Sequence, residues 1–117
     1  MAKSVHFEIN EMPKAHLIAL HLAADLDIAS FGEINHALID QWSVPRGRHV
    51  IVDLSGSNYF GSVLLGLLIN IRQRTRAGRG EMLVCGASPT LLRVLRTANL
   101  ERLIEMVPTR EEALDLL

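Results

Sequence analysis

One cysteine, Cys85, stands in a chain of 117 residues, which excludes an internal disulfide and a cluster of thiolate metal ligands. It lies in Met82-Leu83-Val84-Cys85, an apolar run that reads as a buried strand, so the thiol is expected to act as a small core hydrophobe. Aromatic residues amount to 4%, too few to offer stacking platforms to nucleic-acid bases. Neither sign of charge dominates: 12 Lys and Arg against 13 Asp and Glu leave a formal charge of -1. No whole-molecule field therefore draws the chain to nucleic acid or an anionic membrane, and any partner must be recognised locally. Long apolar runs are missing as well. The longest, residues 63–69, is interrupted by Gly66 and falls far short of the ~20 residues of a spanning helix, and residues 1–6 hold no apolar signal core. A cytoplasmic location without membrane insertion is the expectation. Glycine and proline fall singly between periodic segments, so no linker, repeat or low-complexity tract divides the chain.

What is present is 49% hydrophobic, enough at this length for a single domain, taken as 1–117, with a real core. Residues 6–10 alternate, Met12-Pro13-Lys14 turns, and residues 16–22 return, which predicts a strand pair. Asp27 is placed to cap a helix running to about Trp42, with Phe31, Ile34, Leu38 and Trp42 on one face and Pro45-Arg46-Gly47 ending it. Residues 50–54 are apolar up to Asp53, as in a central strand covered on both faces and parallel to a neighbour. A helix from Ser62 to about Arg76 follows, stopped by Gly78 and Gly80, and Met82 to Cys85 is the next strand. Ser88-Pro89 opens a helix to about Thr97, residues 103–107 form a short strand, and Thr109 caps a last helix. The predicted architecture is α/β: a mixed sheet of four to five strands with about four helices.

The segment His49 to Gly66 is the most informative about function. A strand, a tight polar loop and a helix N-terminus carrying the Ser62 hydroxyl make a natural place for a phosphate. Leu64, Leu67, Leu68 and Ile71 supply the stripe that the core requires, while Ser62, Leu65, Ile69, Gln73 and Arg76 fall on another face, roughly 100° to 180° away. Leu65 and Ile69 are therefore expected to be partly exposed. Either a neighbouring element covers them, or they form a partner patch with Ser62 at its edge. A phosphate on Ser62 would suit a helix N-terminus but would have to be desolvated in an apolar interface, so one modification could switch docking off.

Other chemistries fit poorly. Gly56 to Gly61 has the spacing of a P-loop, yet Ser62 and Val63 stand where Lys and Ser or Thr belong, leaving at most weak nucleotide contact. Phe60-Gly61-Ser62-Val63-Leu64 lacks the second glycine of a nucleophile elbow, and no histidine is assignable as its base. His6, His16, His21, His36 and His49 have no short ligand spacing; solvated positions are expected, and no metal is assigned. Arg72, Arg74, Arg76 and Arg79 complement the C-terminal end of a helix, with a protein interface as the other reading. Asp53, at a strand end, reads as a loop-capping acceptor.

Several short segments, in order, resemble one family. Ala24-Asp25-Leu26-Asp27 is similar to a Gly-Glu-Leu-Asp element before the first helix, and Asp53-Leu54-Ser55-Gly56 matches an Asp-Leu-Ser-Gly at the end of the central strand. Gly86-Ala87-Ser88-Pro89, Val94-Leu95, Asn99-Leu100, Leu103-Ile104 and Glu111-Glu112-Ala113-Leu114 continue the likeness over nearly the whole chain. Together they resemble the STAS domain of bacterial anti-sigma factor antagonists and of the cytoplasmic tails of sulfate transporters. The resemblance implies a STAS-like sheet and a regulatory binding module, not an enzyme, with no cofactor. Its partner would be an anti-sigma factor or related serine kinase, which phosphorylates a serine in the loop after the central strand. That serine falls on Ser62, and the implied partner-binding set is Asp27, Ser57, Asn58, Tyr59, Gly61, Ser62, Leu65, Gly66, Ile69 and Gln73. The loop departs from the family's Asp-Ser-Ser/Ala-Gly, with Gly61, Val63 and Leu64 at the positions flanking the serine. A STAS module that binds a nucleotide or small ligand, or serves as a subunit of a lipid transporter or stress-signalling complex, is the alternative.

Overall fold

The computed structural model describes residues 2–3, 6–27, 29–42, 47–58 and 61–117. A two-residue strand β1 (Ala2–Lys3) is followed by β2 (Phe7–Glu11) and β3 (Ala15–Leu20), three antiparallel neighbours in which Ile9 faces Ile18. After β3 the chain alternates: α1 (Ser30–Gln41), β4 (His49–Asp53), α2 (Ser62–Ala77), β5 (Met82–Cys85), α3 (Pro89–Thr97), β6 (Glu105–Val107) and α4 (Arg110–Leu116). The strands β3 to β6 run parallel, and β4 has a parallel neighbour on each side, as its continuous apolar sequence predicts. The expected four to five strands correspond to β2 to β6; the short β1 adds a sixth at one edge.

Strand order in the sheet follows chain order. Parallel connections that are all right-handed, in a sheet growing in one direction, place their helices on one face. Accordingly α1, α2 and α3 share one core, in which Ile34, Leu38, Leu67, Leu91 and Leu95 join Ile18, Val50, Val52 and Val84 of the sheet. The opposite face is covered by α4, whose Ala113 packs with Leu17, Ile51, Leu83 and Cys85.

One helix start differs from expectation, and the end of α2, with Gly78 as its C-cap, matches it but holds a further feature. Asp27 does not cap α1. Its Oδ1 accepts the Ala29 N–H at 3.0 Å and its carbonyl accepts the Ser30 N–H at 2.9 Å, closing the turn before a helix whose first residue is Ser30. At the end of α2 the left-handed residue is Arg79 (φ 67°), between the two glycines expected to stop the helix. The Gly80 N–H reaches back to the Thr75 carbonyl at 2.9 Å, and a Cβ on Gly80 would lie 1.9 Å from the Arg48 carbonyl oxygen, so Gly80 is set by close packing. The remaining caps match their sequence signals: Ser88 Oγ accepts the Leu91 N–H at 3.1 Å and Thr109 Oγ1 the Glu112 N–H at 3.2 Å. Pro45 and Arg46, expected to end α1, lie outside the described residues.

Candidate functional site

Asp53 ends β4 with its side chain buried, Oδ1 accepting the Ser55 N–H at 2.9 Å and Oδ2 accepting from Arg110 Nη2 at 2.7 Å. Burial alone would raise its carboxyl pKa, but the Ser55 amide and the Arg110 guanidinium outweigh burial and hold it below the usual carboxylate range. The reading of Asp53 as a loop cap is thus correct, and the ion pair adds to it. Arg110 carries a signal of its own: a cation in the first turn of a helix opposes the macrodipole, and the pairing with Asp53 offsets that beside Glu111 and Glu112 of the same turn.

The loop then crosses to the end of β3. Ser57 Oγ donates to the Leu20 carbonyl at 2.5 Å and accepts the Leu22 N–H at 3.0 Å, while the Asn58 N–H donates to the Leu22 carbonyl at 2.9 Å. Ser57, expected among the partner-binding residues, has its hydroxyl engaged by backbone and clamps the loop to the chain after β3. Gly56 passes beneath His21: a Cβ there would stand 2.6 Å from His21 Nδ1, and His21 Nε2 lies 3.3 Å from Glu8 Oε2. Asn58 presents an exposed side chain. Tyr59 lies outside the described residues.

Gly61 occupies the N-cap of α2 and offers no side-chain acceptor, and Ser62, the first helical residue, is exposed. Val63 and Leu64 are buried in the core, as are Leu67, Leu68 and Ile71. Leu65 and Ile69 are half-buried, Leu65 packing partly on the core, and Gln73 is exposed. The structure therefore brings Ser62, Leu65, Ile69 and Gln73 onto one accessible side of α2. Gly66, expected to join them, belongs to the packing of α1 on α2: its Cβ would meet the Phe31 ring at 3.0 Å, one turn from the Asn70 to Asn35 hydrogen bond of 3.1 Å. Asp27 is exposed and engaged in its own turn.

Elsewhere the charged groups are locally matched. Arg74 lies 5.4 Å from the Trp42 ring centroid, and Arg76 pairs with Glu81 at 3.8 Å. Arg72, Arg76 and Arg102 share a cleft of about 320 Å³ with Glu81, Glu101 and Glu105, so Arg72 and Arg76 of the arginine cluster face acids. Burial, followed by the Asp53 charge, pushes the Cys85 thiol up to about 12, which keeps it neutral and unreactive. His16 departs from the expectation of solvated histidines. It is buried on β3, and burial together with Arg48 lowers its pKa. Among the described residues no helix is long and apolar enough to cross a membrane.

Solved structures of low identity share this fold. An anti-sigma factor antagonist (STAS) domain protein from Planctomyces limnophilus is 22% identical, with a TM-score of 0.72 over 93% of this chain and 95% of that one. The anti-sigma factor antagonist SpoIIAA in its unphosphorylated form is 20% identical, with a TM-score of 0.65 over 93% of each chain. The phosphorylated form of SpoIIAA, from Bacillus, is likewise 20% identical, with a TM-score of 0.58 over 93% of this chain and 96% of that one. The STAS domain model matches residues 7–113, almost the whole length, and the chain belongs to the STAS domain family.

Proposed function

We propose that this protein is a regulatory binding module of the anti-sigma factor antagonist type, docking on a protein partner through the loop from Ser57 to Gly61 and the accessible side of α2. The observation that carries the reading is an exposed Ser62 at the first position of α2, next to the half-buried Leu65 and Ile69. An apolar strip with a hydroxyl at its rim suits an interface that a phosphate would oppose, because the added charge of about -1.5 to -2 would have to be desolvated on docking. Solved forms of SpoIIAA with and without phosphate support the same kind of switch. The departures from the family's loop are consistent with it: Val63 and Leu64 point into the core, where they add apolar contact without covering Ser62. The partner is an anti-sigma factor or related serine kinase, and the module itself needs neither catalysis nor a cofactor.

The test is capture of partners from the source cell by wild type, Leu65→Glu and Ser62→Asp, with mass spectrometry of Ser62 after incubation with the captured kinase. Wild type is expected to retain a partner that both variants lose by at least about tenfold, equivalent to about 1.4 kcal/mol. Equal recovery by all three would refute the docking face, and an unmodified Ser62 would refute the switch. A saturable rise in melting temperature with added nucleotide would favour a ligand-binding module instead.

A further inference from the structure

Three chain segments meet beside the loop: Asp53 closes β4, Gly86 follows β5, and Arg110 opens α4 after β6. The Asp53 side chain is 8% exposed, and its two oxygens are divided between the loop, through the Ser55 N–H, and α4, through Arg110. Gly86 makes room for that division. Its φ is +73°, and a Cβ there would lie 2.8 Å from both Asp53 Oδ1 and the Ser55 nitrogen. The Gly86 N–H also donates to the Pro108 carbonyl at 3.2 Å, fixing the approach to α4.

We propose that Arg110 is a positioning residue of the docking loop, acting through Asp53, so that α4 governs how residues 55–58 are held for the partner. The proposal rests on the reading that this loop docks. Its physical basis is the cost of a buried carboxylate that loses its counter-charge. Without Arg110, the carboxylate is left with neutral donors alone, the Ser55 amide and side chain and the Cys85 thiol beside it on β5, and with no counter-charge. The carboxylate then gains most by turning into the adjoining cleft of about 320 Å³, which Arg110 itself lines, where water can solvate it. That rotation withdraws Oδ1 from Ser55. The loop keeps its anchors on the β3 side, Ser57 and Asn58, and the Leu54 N–H on the Cys85 carbonyl, and loses the bond that sets the direction of the turn at Ser55.

Amide hydrogen exchange on the full chain tests this. Arg110→Ala is expected to speed exchange at Ser55 about tenfold while Val52 and Val84 in the sheet keep their protection. Arg110→Lys, which retains the charge but not the planar fork, is expected to restore most of it. The double variant Arg110→Ala with Asp53→Asn is expected to return Ser55 to near its original rate, because a neutral amide needs no counter-charge and still offers an oxygen. If Ser55 exchanges as in wild type while Ala113 loses protection, Arg110 merely anchors α4 and the proposal fails. It fails equally if the double variant exchanges as fast as Arg110→Ala. Leu65→Glu leaves these amides unaffected, so failure of the docking reading is seen separately, in partner capture.

Discussion

The Ser57 hydroxyl holds two groups of another strand, and a single atom can be removed to weigh them. Ser57→Ala is expected to destabilise the protein by about 1 to 3 kcal/mol, since the Leu22 N–H and the Leu20 carbonyl both lose a partner; urea unfolding measures it. In the sequence, Ser57 looks like any polar loop residue, because its partners lie 35 and 37 positions earlier and no local pattern announces them. Asp53 was easier to read, since its bond to Ser55 spans two residues. Its pairing with Arg110, 57 positions away, was not legible except as a cation on the wrong end of a helix.

At the scale of elements, apolar patterning located every strand from β2 onward and the first two helices, because the core takes residues at regular intervals, while the caps Ser88 and Thr109 located the last two helices. Ends were harder to read. A helix stops where backbone groups find other partners; α2 ends at Ala77 with Gly78 as its C-cap, and the residue after the cap, Arg79, is a non-glycine residue in left-handed conformation. Arg79→Gly is accordingly expected to raise stability by about 1 kcal/mol, whereas Gly80→Ala, whose Cβ has no space against Arg48, should lower it by more than that. Thermal unfolding of the two variants separates the roles. Gly66 teaches the same distinction on a helix face. The implied partner-binding set groups it with Leu65 and Ile69, but the absence of a side chain is what lets α1 come close through Phe31.

At the scale of the whole molecule, two buried ionisable groups make stability depend on pH in the same direction. His16 has an ordinary pKa of 6.5 that folding lowers, through burial and the nearby Arg48 against an opposing contribution from Glu11. The unfolded chain therefore takes up a proton that the folded one resists, and stability falls as pH drops below 6.5. Asp53, ordinarily near 3.8 and lowered on folding, adds stability above that value that is lost as pH falls through its folded pKa. A melting-temperature profile should show both declines, and His16→Leu should flatten the upper one alone. A profile unchanged by His16→Leu would place the source of that decline elsewhere.

The agreement between strand order and chain order has a consequence in time. During synthesis each parallel strand is added to an edge that already exists, so the sheet can be assembled progressively, from β2 outward, without any strand having to insert between two others. The loop after β4 emerges midway through that growth, yet the guanidinium that steadies it follows β6. A nascent chain thus carries Ser62 before the group that pairs with Asp53 has been made, and under the proposed docking, competence to bind a partner would arrive with α4.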